Sequence, residues 1–342
     1  MYGKAIAPEY QGQLRGMSVN TAYEDVLAAA LAREAEAVYE DSGLELAQAR
    51  LTIAEAYRRL GMLDEADAAW RASYRAARSI REEGAMAWAL WSGGTLARQR
   101  GQLTAAVQWL SAGRELAQRA GESLAYGYAV AGIAETLRIR GDHEEARGLH
   151  EQLLAEARKR GECRHLVWAL EGLAQLDRNA GDLDSAWRRF KEAAGIAEEG
   201  GDERGLAWAL RGLADVRSLR GEHDEALWLL SRAEQICRRM DLTSALAYNR
   251  KMRGNVLFRA CWYGEAARTY RDAQNMFRSI KEPRGAALAE LGLLKSLDKL
   301  GRPRPATEQE LHALRDRLDS RELRHTKRMV EEAISEMAEV AA

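Results

Sequence analysis

GDERGLAWALRGLADVRSLR, residues 201–220, runs directly into GEHDEALWLLSRAEQICRRM, residues 221–240. In the first block Leu206, Leu210, Leu213, Ala214 and Arg217 fall on one stripe at helical spacing, and in the second Ala226, Leu229, Leu230 and Ala233 do the same. Each block therefore predicts an amphipathic helix. Gly221, between them, can take the left-handed conformation that stops a helix, and the acidic residues after it sit where the next helix's N-terminal dipole favours negative charge. The reading is a helical hairpin with a short, specified turn.

The hairpin recurs. Glycine followed five residues later by alanine returns every 40 residues, as Gly61/Ala66, Gly101/Ala106, Gly141/Ala146, Gly181/Ala186, Gly221/Ala226 and Gly301/Ala306, with one slip at Cys261/Ala266. A second column of small residues, Ala54, Gly94, Ala134, Ala174, Ala214 and Gly254, lies on the first helix of each unit and is expected to face its partner helix. Self-similarity of this period marks a solenoid, in which no unit buries its apolar face alone and stacked neighbours complete one continuous core. Counting outward predicts an N-terminal arm over 1–20, which is expected to be loose, and a solenoid over 21–320 that begins with a lone helix, 21–40, N-capped by Thr21. Seven 40-residue units then start at residue 41, and a capping helix spans 321–342, with Leu323, Val330, Ile334, Met337 and Val340 on its apolar side. The unbroken register implies one elongated domain.

Composition agrees with that class. Among 342 residues 46% are apolar, 30% are charged and only four are proline, which suits a folded all-helical chain. The 51 basic and 52 acidic residues nearly cancel, so neither nucleic acid nor an anionic membrane is indicated as a partner. No secretory leader or long apolar run is visible, and the expected compartment is the cytoplasm. Cys163, Cys237 and Cys261 are odd in number and lack metal-ligand spacing, and are read as free thiols.

These columns resemble the tetratricopeptide repeat. The match reads Leu90, Gly93–Gly94, Gly101, Ala106, Leu110; then Leu170, Leu173–Ala174, Gly181, Ala186, Phe190; then Leu210, Leu213–Ala214, Gly221, Ala226, Leu230. The unit is longer than the family's usual 34 residues and lacks its closing proline, which makes the chain similar to the 40-residue subclass of kinesin light chains, Pins-like adaptors and bacterial regulators. The resemblance implies an all-α fold, an α-solenoid forming a right-handed superhelix of about seven hairpins. It also implies that the first helix of each unit lines a concave groove.

Four columns would then face that groove: Trp88, Tyr128, Trp168, Trp208, Tyr248; Trp91, Ala131, Glu171, Arg211, Lys251; Thr95, Glu135, Gln175, Asp215, Asn255; and Arg58, Arg98, Arg138, Arg178. Aromatic rings give contact area at small entropic cost and arginine offers a rigid fork for carboxylates, so the columns suit a protein or peptide partner. Against this stands a structural reading, in which the rings seal adjacent first helices and Arg98, Arg138 and Arg178 pair with Glu135, Glu171 and Asp215. In the sixth unit Arg250 and Arg253 replace core leucines, and with Lys251, Asn249 and Asn255 they could build an anion pocket; the alternative is that they snorkel past a neighbouring helix.

No cofactor, metal site or catalytic signature is expected. His143 is followed by Glu144 and Glu145 without a second histidine one turn on, and Cys163 and His165 are spaced so that they do not meet as nucleophile and base. The leading expectation is an adaptor or regulator that is not an enzyme and holds a partner segment in its groove. A small-molecule sensor or enzyme built into the cavity is the second reading, and self-association into a homo-oligomer is the third.

Overall fold

A computed structural model describes Leu14, residues 23–319 and residues 322–339. Thr21 and Val340, assigned above to a cap and an apolar face, lie outside the described residues. Within them the chain forms sixteen α-helices and no strand. The lone helix α1 (Tyr23–Tyr39) is followed by the hairpins α2 (Gly43–Arg59) and α3 (Leu63–Ser79), α4 (Glu83–Gln99) and α5 (Leu103–Ala120), and α6 (Ser123–Arg140) and α7 (His143–Arg160). Next come α8 (Cys163–Asn179) and α9 (Leu183–Gly200), α10 (Glu203–Leu219) and α11 (His223–Arg239), and α12 (Thr243–Arg259) and α13 (Tyr263–Ser279). The last hairpin is α14 (Pro283–Lys299) and α15 (Arg304–Asp319), and α16 (Arg324–Glu339) caps the stack. The architecture is an α-solenoid of consecutive helical hairpins.

The turns are more regular than the glycines that announce them. Left-handed residues occur at every twentieth position from 41 to 301: nine are glycine, and Asp41, Arg81, Asp241, Cys261 and Lys281 adopt the same conformation without being glycine. Cys261, which breaks the sequence pattern, does not break the structure. At Gly101 the next N–H, of Gln102, returns to the Ala97 carbonyl at 2.9 Å; after Cys261 the Trp262 N–H returns to Leu257 at 2.9 Å. Both are the helix-ending bond of a left-handed cap, and the hydrogen bond holds the geometry where the side chain only disfavours it.

Packing explains the small residues. Second helices send one large side chain toward the neighbouring first helices, and for α3, α5, α7, α9 and α13 glycines mark where it lands. A Cβ on Gly94 would sit 2.5 Å from Leu110, and one on Gly132 would sit 2.9 Å from the same residue; Gly212 meets Phe190 at 2.3 Å in the same way. The same column contains Trp70, His150, Leu230 and Tyr270. Gly132, Gly172, Gly212 and Gly292 thus form a third small column, beside the two legible from the repeat. His150 is a core residue here, fully buried with neither ring nitrogen partnered, and burial pushes its pKa down to about 4.

Successive first helices touch one another along the inside of the curve, α2 to α4 through α12 to α14, so these helices form the inner wall. The curve closes on itself. A Cβ on Gly61 would lie 3.3 Å from the Ile280 Cα, Lys281 lies 3.5 Å from Asp64, and the Thr104 N–H donates to Glu322. Leu103 and Ile139 share a core with Leu291, Leu314, Leu323 and Val330, and α16 packs on α6 as well as on α14. The Lys281–Asp64 and Thr104–Glu322 pairs are separated by 217 and 218 residues, about five and a half units. The inner wall consequently encloses a central space instead of opening into a long trough.

Candidate functional site

Every first helix from α2 to α14 contributes to that central space. The main cavity, of about 240 Å³, is lined by Arg58, Arg98, Arg138, Arg178, Arg204, Arg211, Lys251 and Arg284, by Glu135, Glu171, Asp215 and Glu282, and by Trp168, Trp208 and Tyr248. A connected pocket of about 90 Å³ shares Arg58, Arg98, Arg204, Trp168 and Trp208 with it, and adds Trp91, Tyr128, Arg164, Val167 and Leu14. Sixteen of the residues singled out in the sequence are therefore brought together on these walls: Arg58, Trp91, Thr95, Arg98, Tyr128, Glu135, Arg138, Trp168, Glu171, Gln175, Arg178, Trp208, Arg211, Asp215, Tyr248 and Lys251.

Trp88, Arg250, Arg253 and Asn255 are not among them. Trp88 is 1% exposed and wedged at 5.3–5.4 Å against Trp91 and Tyr128, which seals α4 to α6. Nor does the sixth unit assemble the anticipated anion pocket. Arg250 donates to Glu234 at 2.8 Å and Arg253 reaches Ser231 at 3.4 Å, both on α11, and Asn249 donates to the Leu230 carbonyl at 2.9 Å. Asn255 accepts from the Tyr270 hydroxyl at 2.8 Å, so only Lys251 of this group reaches the cavity. The physical reason is helical phase: positions 250 and 253 lie on the stripe that faces α11, and their long side chains run to polar groups there.

The charges on the inner wall are treated in two ways. Asp215, 2% exposed, accepts from Arg259 at 2.9 Å and from Arg178; burial alone would push its carboxyl up, but the two guanidiniums hold it down at about 2. Arg138 pairs with Glu135 of its own helix at 2.6 Å, and Arg58 pairs with Glu55 at 2.7 Å in the same i,i+3 geometry. Of the ladder foreseen from the sequence, only the Arg178–Asp215 rung forms as drawn.

Elsewhere the charge is left open. Arg98, Arg204 and Arg211 have no carboxylate within ion-pairing distance among the described residues, and the Arg98 Nη1 is buried without a hydrogen-bond partner. Glu171 is 3% exposed with Oε1 unpartnered; burial raises its pKa well above the ordinary carboxylate value, and Arg211 only partly opposes this. Burial likewise pushes Lys251 down to about 7, although Asp215 opposes it.

Arg204, which the repeat columns did not single out, is positioned by local chemistry. The Asp202 carboxylate accepts from the Gly205 N–H at 3.0 Å and caps α10, so Arg204 leaves the first turn and lies over the Trp208 ring at 5.0 Å. An arginine four residues before an aromatic was the available signal, present also as Arg164 before Trp168. Leu14 is the other residue missed. Expected within a loose arm, it is 1% exposed and packs into the aromatic cluster.

Three further observations bear on chemistry. Cys163 Sγ contacts the Ile196 carbonyl at 3.4 Å, and burial raises its thiol to about 11, while His165 bonds Glu162 at 2.6 Å; the two do not form a nucleophile–base pair. Among the described residues there is no group of three or more histidine, cysteine or acidic side chains that could hold a metal. Nor is any described helix long and apolar enough to cross a membrane.

A closed stack of two-helix units around an internal site is thus the class of protein that the fold and the wall define. Residues 125–199, within the third and fourth hairpins, match the tetratricopeptide repeat family. The 40-residue hairpin of that matched stretch repeats along the described residues on both sides of it. Solved structures share the fold at low identity. A Rap protein complexed with competence and sporulation factor aligns with a TM-score of 0.53 at 17% identity, over 86% of this chain and 97% of that one. The Rap conjugation gene regulator of plasmid pLS20, in complex with a Phr peptide, aligns with a TM-score of 0.58 at 17% identity, over 80% and 76%. A signal-transduction ATPase with a tetratricopeptide-repeat sensor from Pyrococcus horikoshii gives 0.53 at 11% identity, over 87% of this chain and 47% of that one. No curated protein matches the sequence.

Proposed function

We propose that the chain is an adaptor or regulator whose interior holds a peptide segment of a partner protein. The observation that carries this reading is the combination, on one enclosed wall, of the half-buried rings Trp168 and Trp208 with Arg98, Arg204 and Arg211, which find no carboxylate of their own. Aromatic side chains supply rigid contact area, and an arginine desolvated without a partner gains most from a ligand that brings the missing acceptor. Two proteins of similar fold are complexes with competence and sporulation factor and with a Phr peptide, which lends support to a peptide as occupant. A small molecule in the cavity of about 240 Å³ is the second reading, favoured by the convergence of aromatic and charged side chains on its walls.

Native mass spectrometry of the protein purified from its own cell separates the two. A peptide mass is expected on the wild type, and at least tenfold lower occupancy on an Arg98→Gln/Arg211→Gln variant. A retained metabolite mass would replace this reading with the second. No retained mass in either protein, together with no peptide affinity in solution, would overturn both.

A further inference from the structure

The outward columns of the second helices are polar along the stack and apolar at its start. On α1 the residues Ala28, Leu31, Ala32, Ala35, Val38 and Tyr39 are all exposed, and their spacing puts them on one stripe of the helix. Leu31, Val38 and Tyr39 are 43%, 59% and 92% exposed. The column of Leu31 continues as Arg71, Ser111, Glu151, Lys191, Ser231 and Arg271 on α3 to α13, and that of Val38 as Arg78, Gln118, Arg158, Glu198, Arg238 and Arg278. The repeat itself therefore does not require apolar residues in these columns, and among the described residues nothing covers those on α1.

Unpaired charge of opposite sign flanks the stripe. Arg33 and Glu34 of α1 are turned to α2, where they bond Glu45 at 2.9 Å and Arg50 at 2.7 Å. Glu36 and Glu40 lie on the opposite flank by helical phase, exposed and without an ion pair among the described residues. Beyond α2 comes α3, on which Arg75 and Arg78 are exposed and equally unpaired. They stand one repeat on from Ala35 and Val38, and so level with Glu36 and Glu40.

We propose that α1 is the seam of a homodimer, in which its stripe packs against the same stripe of a second copy with the two helices parallel. A surface with acids on one flank and arginines on the other is complementary to itself when turned over about an axis along the stripe, because each copy's acids then meet the other's arginines. Antiparallel pairing would set acid on acid and arginine on arginine. The alanines allow the two helices to approach closely, while Leu31, Val38 and Tyr39 supply the apolar area. The 17 residues of α1 span about 25 Å and neighbouring helices lie about 10 Å apart, so α1 and α3 together offer on the order of 500 Å² per copy. That is the lower limit for a specific pair, and a reversible dimer is expected. The proposal does not rest on what the interior holds.

Sedimentation velocity of the full chain over a hundredfold range of concentration tests it. Wild type is expected to pass from monomer to dimer across that range. Leu31→Glu/Val38→Glu is expected to remain monomeric, with unchanged circular dichroism because both side chains are exposed. Glu36→Arg/Glu40→Arg and Arg75→Glu/Arg78→Glu should each weaken the dimer at least tenfold, and an equimolar mixture of these two variants should recover the wild-type affinity as a heterodimer. A monomer at every concentration, or a dimer that survives Leu31→Glu/Val38→Glu, would overturn the proposal. A mixture that stays monomeric would overturn the parallel, charge-matched pairing.

Discussion

Helix α10 ends its inner face at Asp215 and begins it at Arg204, and the two positions handle charge in opposite ways. At Asp215 the wall neutralises itself: Arg178 from the helix before and Arg259 from the helix after converge on one buried carboxylate, tying α8, α10 and α12 together. At Arg204, three turns earlier, no carboxylate closes the pair, and the guanidinium lies on Trp208 at 5.0 Å among other arginines. Both positions belong to the same repeat and face the same cavity. An arginine on a solenoid's inner wall is therefore informative only together with its nearest acid. One paired across helices, as at Asp215, joins neighbouring units, one paired within its own helix, as Arg138 is, does not, and an open one does neither.

Breaking the closed end should have the largest effect on the fold. Asp215→Ala strands two guanidiniums in the wall and is expected to cost about 3 kcal/mol in urea unfolding at pH 7, the low end for a broken buried pair because Arg178 and Arg259 are 24% and 30% exposed. The loss should depend on acid. The folded carboxyl is depressed to about 2 from 3.8, so its stabilisation is complete above pH 3.8 and disappears as pH falls through about 2. Wild type and variant should converge there, and a gap that persists at pH 2 would show that the residue acts through packing.

A smaller, opposite effect is expected at Glu171, on α8 in the same wall. Its folded pKa is raised by burial, so the favourable protonated state is fully present below the unfolded value of 4.5 and lost as pH rises. Glu171→Gln should raise stability at pH 7 by about 1 kcal/mol, the scale of an unsatisfied buried polar group, and leave it unchanged near pH 4. A destabilised variant at pH 7 would mean that the ionised carboxylate is used by the wall after all. The smallest effect belongs to the outer surface, where Arg119 pairs with Glu83 at 3.1 Å and both are widely exposed. Arg119→Ala should change stability by less than about 0.5 kcal/mol in the same assay, and a larger cost would make the surface ladder part of what holds the units in line.

Most of the fold was legible because helical hairpins are specified locally. The turn glycines, the acidic starts and the apolar stripe of residues 201–240 act within a few residues of one another, and repetition averages away exceptions such as Cys261. Much of the wall was legible for the same reason, since Trp168, Trp208, Arg178 and Asp215 sit in fixed phase on their helices. Arg204 escaped because its column reads Leu44, Gly84, Leu124, Arg164, Arg204, Ser244, Arg284 and so is basic at only three of seven positions. His150 looked like a scattered histidine because its column, Leu110, His150, Phe190, is held together by volume and not by chemistry.

The sequence by itself thus determined the unit, its length and its turns, consequences of backbone periodicity and neighbouring side chains, whereas which helix faces inward came only from the resemblance to a known repeat. Tertiary structure alone decided that the curve closes after about five and a half units, that Asp215 gathers two arginines while Arg98 and Arg204 gather none, and that Leu14 lies in the wall. Those outcomes depend on the small rotation between successive hairpins, summed over the whole stack, and no single stretch of sequence carries that sum.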